Sequence, residues 1–353
     1  MKTKLRPDPL TGFTQVLGVG GIGTGTIIAL HGNHTLGRNE SRMGECIDAR
    51  DYCKLHIVEH YIAILLTSKS NSDQFRIFAV GNVGDDAAGA TLMSEMANVG
   101  IDISYVRIES ERSTLFSVAF VYPDKSGGNI TASNSAAGKL SSVQLTQCRK
   151  EMQRAGRRGI ALCLPEVPLD ARSDFLRIAT ECENYRIASF TAEEMEKVRQ
   201  MKLPAQVDLL AVNHEEAIAF TGEYTDDRNE QQLLEAIFET ANELNPAMKM
   251  VVSAGPAGAH VLENGIWSHH RTIPMKVVST AGAGDTMLAG IIAGLAAGLP
   301  LVDASTGAAR NCCAIDLGLV LAAFSVTSPH TIHPGASRER FLAIAAENGI
   351  QMT

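Results

Sequence analysis

Three stretches of this sequence carry residue types at spacings that could do chemistry. His56-Ile-Val-Glu59-His60 reads H-x-x-E-H. On a helix, histidines four residues apart project from one face, where they could share a zinc ion. Such a site needs a third protein ligand, and the remaining histidines and carboxylates are scattered with none singled out. The favoured reading is an amphipathic helix with its His and Glu on a polar face. Gly18-Val-Gly20-Gly21-Ile-Gly23 reads G-x-G-x-x-G after an apolar run. A dinucleotide site would need a helix next and an acidic residue about 20 positions on. The residues after it, "TGTIIALHGNHTLG", are β-prone and turn-rich, so a glycine-rich strand exit is favoured.

The third stretch is Thr280-Ala-Gly282-Ala283-Gly284-Asp285, which leads into the small-residue run "TMLAGIIAGLAAG". Glycine and alanine let an anion approach the backbone, and the first N–H groups of a helix point at it with the positive end of the dipole. An aspartate beside such an anion hole repels the anion unless it has a task. Capping could fall to Ser279 or Thr280 without the added charge. The chemical role for Asp285 is a base that takes a hydroxyl proton while the anion hole stabilises a phosphoryl group in transfer.

These residues must be positioned by regular elements, and their order is legible. "TQVLGVG", "GIALCLPEVP", "VDLLAVN" and "KMVVSAG" read as strands, and "FRIFAVGNVGDD" as a strand entering a glycine turn. "YCKLHIVEHYIAILLTS", "AAGATLMSEMANVG" ended by Gly100, "LDARSDFLRIATECEN" and "HEEAIAFTG" read as helices. Strands alternating with helices predict an α/β fold, a parallel sheet covered on both faces. Residues 25–50 and 109–134 break the rhythm. Residues 109–134 read as two strands joined by the turn Asp124–Gly128, and both stretches resemble a small β insertion.

Composition narrows the function classes. The 353 residues are 45% hydrophobic and 20% charged, with a net charge of −8 and no dense Lys/Arg run, so a nucleic-acid surface is not expected. Seven cysteines, odd in number and never spaced C-x-x-C, suit reduced thiols in a cytoplasm. Five glycines and two threonines interrupt the apolar run between Gly18 and Thr26, which fits a signal peptide poorly. No apolar stretch is long and unbroken enough to cross a membrane.

The segment from Val277 to Leu301 resembles the second signature of the ribokinase-like (PfkB) carbohydrate kinases, D-T-x-G-A-G-D before a Gly/Ala-rich helix. Other pieces fall in that family's order. "GNVGDDAAGATLMSEMANVGID" looks like its G-x-V-G-x-D-x-x-G segment, "LLAVNHEEAIAFTG" like its strand and N-x-x-E, "VVSAGPAGAHV" like its nucleotide-side strand and loop, and "LAAFSVTSPHT" like its C-terminal element. The resemblance runs from about Phe13 to the C-terminus. It implies a three-layer α/β/α core (13–24, 51–108 and 135–353) with a mostly parallel sheet, and a small β-sheet lid (25–50 and 109–134). It implies Asp285 as catalytic base, with Gly282, Ala283 and Gly284 as the anion hole. ATP would be held by Asn213, Glu216, Ser253, Gly255, Gly258 and Thr280, with Mg²⁺ reached by Glu216 through water. Asn213 and Glu216 are equally a capping box at a helix start. Glu166, with Gly81, stands on the sugar side. A monovalent cation and a homodimer paired through the lid belong to the same set of expectations.

The departures concern the acceptor. Ser279 stands where the signature starts with Asp, and Gly20–Thr24 where many members place a sugar-binding Asp. "IASFTAEEM" replaces D-x-N-x-R, and "DYCKLHIVEHYIA" holds the place of the Gly-Gly-x-x-x-N substrate loop. His56, Glu59 and His60 therefore join the candidate substrate residues. The reading is ATP-dependent transfer to a hydroxyl of a sugar or polyol, by an enzyme with no nucleic-acid or membrane partner. A non-catalytic binding protein on the same fold and a zinc hydrolase using His56, Glu59 and His60 are the rivals.

Overall fold

The inner strands of the large sheet have no polar face, and the fold follows from that. The computed structural model describes residues 5–8, 12–67, 75–124, 126–223, 229–303 and 312–350. Ser68, at the end of one expected helix, and Lys125, in the expected turn, lie outside the described residues. The chain enters through β1 (Gln15–Val19), runs out into β2 (Gly23–Leu30) and β3 (Gly44–Tyr52), and returns through α1 (Lys54–Leu66). β4 (Arg76–Gly84), α2 (Ala87–Asn98), β5 (Asp102–Glu109), β6 (Leu115–Val121) and β7 (Gly127–Thr131) follow. Next come α3 (Ser142–Ala155), β8 (Gly159–Cys163), α4 (Leu169–Glu181), β9 (Tyr185–Ala188), α5 (Met195–Gln200) and β10 (Leu209–Asn213). The last elements are α6 (His214–Thr221), α7 (Glu230–Leu244), β11 (Lys249–Ser253), β12 (Ala259–Glu263), β13 (Ile266–His270), α8 (Ala283–Ala296), α9 (Ala314–Ser325) and α10 (Arg338–Glu347).

Nine strands make one sheet in the order β13-β12-β11-β10-β9-β8-β1-β4-β5. It is parallel from β5 to β11 and antiparallel at β12 and β13. In β1, Val16 faces one core while Leu17 and Val19 face another. β4 divides the same way, with Ile77 and Ala79 against Phe78 and Val80, and so does β8, with Ile160 and Leu162 against Ala161 and Cys163. Strands apolar on both sides lose the alternation of a half-exposed sheet and must be covered by helices on each face. The fold is the expected α/β/α one. β4 differs from its expectation, since it continues as a strand through Gly81 to Gly84.

A smaller sheet has the order β3-β2-β6-β7, with β2 and β6 parallel to each other. Its strands draw on both stretches that broke the β-then-α rhythm. β6 and β7 pair antiparallel, and the Asp124 carboxylate between them accepts from the Ser126 N–H at 2.9 Å, which shapes the turn.

α1 corrects the expectation of a polar helix face. It packs on β1 and α8, and His56 and Glu59 are fully buried. Six buried aliphatic side chains carry it: Leu55, Ile57, Val58, Ile62, Leu65 and Leu66. Each contributes roughly 1.5–3 kcal/mol, which outweighs about 1–3 kcal/mol for each polar group buried without a partner. Gly18 and Gly20 lie on the β1 face that meets this helix. A Cβ on Gly18 would run into the Glu59 carboxylate and stand 2.7 Å from Leu55 Cδ1, and one on Gly20 would stand 3.0 Å from Leu55 Cβ. The G-x-G spacing is therefore a two-residue strand period that admits α1. The chain beyond it enters β2 and not a helix, so the dinucleotide pattern has no counterpart here.

Candidate active site

The chain order reverses at β1, which pairs with β4 on one side and β8 on the other. A cleft of about 860 Å³ lies away from that point, off the carboxyl ends of β10 and β11, whose last residues Asn213 and Ser253 line it. Asn213, Glu216, Ser253, Gly255, Gly258, Thr280, Gly282, Ala283, Gly284 and Asp285 all line it, together with Lys54. All six residues expected to hold nucleotide are thus in one cavity with the expected base. Met275, Val277, Leu319 and Ala322 give the cleft an apolar wall.

Asp285 sits in the first turn of α8. Gly282 caps that helix in the left-handed region at φ 73°, a conformation that favours glycine, and a Cβ there would stand 3.1 Å from Thr331. The Ala283 N–H is turned back to the Thr280 carbonyl at 3.2 Å. A Cβ on Gly284 would meet nothing within 4 Å, so the space before this helix start is open. The helix presents its N-terminal dipole to the cleft there, with Gly284 the member of the expected anion hole that faces open space.

Lys54 is the residue that sequence reasoning missed. Its Nζ stands 3.4 Å from Asp285 Oδ1, an ion pair between side chains only partly exposed. The Asp285 charge is the largest of the influences that raise the Lys54 ammonium above its ordinary range, so it stays charged. The backbone N–H of Lys54 donates to Glu166 Oε2 at 3.2 Å. Glu166 has a left-handed backbone at φ 73°. Burial pushes its carboxyl up to about 7 against the opposing pull of Lys54. Asp51, at the end of β3, accepts from Ser117 Oγ at 3.1 Å. Its carboxyl is also raised, first by burial and further by the charge of Asp285. Lys54 thus joins the cleft to an acidic group made of Asp51, Glu166 and Asp285. A lysine at a helix start gave no signal in the sequence, because its partner is 231 residues away.

Asn213 and Glu216 form both arms of a capping box. The Asn213 N–H donates to Glu216 Oε2 at 2.9 Å, and the Glu216 N–H to Asn213 Oδ1 at 2.8 Å. Burial raises the Glu216 carboxyl, with Lys54 opposing. Gly81 is buried under Gly20 and Ile22 and does not line the cleft. In "IASFTAEEM", Thr191 and Glu194 make a further capping box, and Glu194 pairs with the buried Arg172 of α4.

His56, Glu59 and His60 do not line the cleft either. The two imidazoles are 5.7 Å apart between ring centroids, and the Glu59 carboxyl lies against Gly18. Both His56 nitrogens, both Glu59 oxygens and His60 Nδ1 are buried without a hydrogen-bond partner. Burial holds His56 down to about 3 and His60 to about 4, and raises Glu59 well above the carboxylate range. The two imidazoles are therefore neutral near pH 7. Among the described residues, no group of three metal-binding side chains includes His56, Glu59 or His60; the one such group is His270, Cys313 and Asp316.

The profile of the pfkB family carbohydrate kinases matches residues 68–336. The chain belongs to that family. It is 25% identical to a ribokinase of Schizosaccharomyces pombe over 268 residues, covering 75% of this chain and 81% of that protein. The fold is that of ribokinase from Giardia lamblia, with a TM-score of 0.76 at 15% identity, covering 95% of this chain and 99% of that one. It is equally similar in kind to ribokinase from Cryptococcus neoformans var. grubii serotype A in complex with ADP. There the TM-score is 0.71 at 16% identity, over 94% and 99% of the two chains. For this pfkB-family chain the carbohydrate-kinase class is therefore established. No helix among its described residues is long and apolar enough to cross a membrane.

Proposed function

We propose that this pfkB-family chain transfers the γ-phosphoryl group of ATP to a hydroxyl of a sugar or polyol. The observation that carries the reading is the Asp285–Lys54 pair at the open N-terminus of α8, inside a cleft large enough for a nucleotide. The base takes the Met275–Val277 and Leu319–Ala322 wall, and the phosphates run toward Gly284 and the helix start. The acceptor hydroxyl lies against Asp285, which receives its proton as the oxygen attacks phosphorus. Lys54 and the helix dipole stabilise charge on the phosphoryl oxygens, so that positioning and electrostatics supply most of the catalysis.

Mg²⁺ fits this donor set through Glu216. One of its oxygens is committed to the Asn213 N–H, and the carboxyl still lines the cleft, which suits contact through water. When bound, the ion neutralises phosphate charge. Rates in potassium and in sodium test the monovalent-ion expectation. The small sheet acts as the lid over the acceptor, and its exposed Phe116 and Ile130 offer an apolar face on which two copies would pair.

The deciding experiment is Asp285→Asn, assayed by ADP release over a panel of sugars and nucleosides. Turnover falls by roughly two to four orders of magnitude, the usual worth of a general base, while ADP binding and the melting temperature stay close to wild type. Turnover within a few-fold of wild type sinks the assignment. ADP binding with no turnover on any acceptor would favour the binding-protein rival.

A further inference from the structure

Outside the Asp285 site, β13 and α9 bring a second set of chemistry-bearing side chains together. His270 is the last residue of β13, Cys313 caps the start of α9, and Asp316 lies in the first turn of that helix. One ligand atom from each lies within 4.8 Å of the other two. His270 and Cys313 are buried. The neighbours hold these groups as the outer partners of a metal site do. The His270 ring is fixed by a 3.0 Å hydrogen bond between Nε2 and Ser268 Oγ. The Cys313 N–H donates to Asp316 Oδ2 at 3.1 Å and orients that carboxylate. Outer hydrogen bonds of this kind set the direction of imidazole and carboxylate ligands. The Cys313 thiol donates to the same oxygen at 3.0 Å, at a helix start, where the thiolate is favoured. That thiol proton is the one a cation would replace.

We propose that His270, Cys313 and Asp316 bind one Zn²⁺ ion, with water as the fourth ligand. The site is separate from the H-x-x-E-H helix and does not depend on the phosphoryl-transfer reading. A thiolate and an imidazole beside a single carboxylate select zinc over Mg²⁺, which takes oxygen ligands. Bonds of roughly 2.0–2.3 Å place tetrahedral ligand atoms about 3.5 Å apart, so small side-chain rotations suffice to close the set. Binding breaks the S–H bond, forms a zinc–thiolate bond and releases the proton to solvent. The ion joins two walls of the cleft, since Thr272 and Ile273 follow His270 and Leu319 lies one turn beyond Asp316. Its role is a structural clamp between them.

The test is zinc alone, added to the full chain after a chelator has stripped it. The wild type should take up one equivalent, and its melting temperature should rise with zinc concentration. Cobalt in place of zinc should give the near-ultraviolet band of thiolate-to-metal charge transfer. Cys313→Ser, whose hydroxyl still caps α9, should abolish that band. This variant, His270→Asn and Asp316→Asn should each weaken zinc binding by about tenfold or more, and Ser268→Ala by roughly tenfold through the ring it orients. His56→Leu should keep the full equivalent. A wild-type chain that takes up no stoichiometric zinc overturns the proposal. So does an equivalent that survives in both Cys313→Ser and His270→Asn, or a cobalt spectrum without the thiolate band. Should Cys313→Ser fail to fold, Asp316→Asn and Ser268→Ala decide by the same titration, and undiminished affinity in both overturns the site.

Discussion

Lys54 Nζ and Asp285 Oδ1 stand 3.4 Å apart although 231 residues of chain separate them. One is the first residue of α1 and the other lies in the first turn of α8, so the packing of those two helices sets the distance. The pairing holds the Lys54 ammonium charged at the start of α8, where on the proposed reading it would meet the phosphoryl oxygens.

Lys54→Met should lower kcat by roughly two to three orders of magnitude, the usual loss when a donor to transition-state charge is removed. The nucleotide's Kd should change by less than the rate does. A variant with unchanged kcat and a raised KM for the acceptor would make Lys54 a binding residue only.

Glu216→Gln separates two roles that share one side chain. Glutamine also closes a capping box, so the melting temperature should hold within a few degrees. The Mg²⁺ concentration for half-maximal rate should rise, because the charge is gone. A lower melting temperature with an unchanged Mg²⁺ dependence would reduce the residue to a helix cap.

The Glu166 carboxyl is raised to about 7 from its ordinary 4.5. The folded chain therefore binds a proton that the unfolded chain releases. This contribution to stability is full below about 4.5 and is lost as pH rises through about 7. Glu166→Gln copies the protonated form, so its melting temperature should gain on wild type between pH 5 and pH 8. Acceptor KM in the wild type should fall over the same range, as the carboxylate becomes a better acceptor of hydroxyl hydrogen bonds. A melting difference independent of pH would contradict the assignment.

His56 and Glu59 supply the fourth test. Both are buried; His56 is neutral and has no hydrogen-bond partner, and burial raises the Glu59 carboxyl, with the Gly18 backbone the one group opposing it. Glu59→Gln should change stability by less than about 1 kcal/mol, and His56→Leu should be neutral or stabilising, because removing an unsatisfied polar group relieves its desolvation cost. Chelator-free wild-type protein should carry no zinc that either substitution removes. A loss above about 2 kcal/mol in His56→Leu would mean that the imidazole has a partner.

The layers and their order were legible because the chain is written in whole elements. The runs around Leu17, Leu162 and Leu210 are apolar in both parities, and the capping signals at Asn213 and Gly100 mark helix ends that the structure reproduces. The wall of the cleft was legible too, since Asn213, Ser253 and Thr280–Asp285 lie at element ends where glycines and small polar residues stand out. Less could be read of the acceptor side. Lys54 and Asp51 belong to the site only because α1 follows β3 directly and packs beside α8. His56 and Glu59 misled for the opposite reason. Their polarity suggested a solvated face, while the six aliphatic side chains around them decided that the helix would be buried.

The joint between β3 and α1 has a mechanical meaning. Tyr52 ends the small sheet, Lys54 begins the helix, and Cys53 is the one residue between them. Thr331 holds this joint from outside, its hydroxyl accepting the Tyr52 N–H at 3.0 Å, and its side chain is also the neighbour of Gly282. On the proposed reading, a swing of the small sheet would carry Lys54 with it and disturb Asp285, gearing sheet, ammonium and helix end together. The arrangement would then work as an interlock, in which the charge beside the proposed base is aligned only when the sheet has come down on something worth phosphorylating.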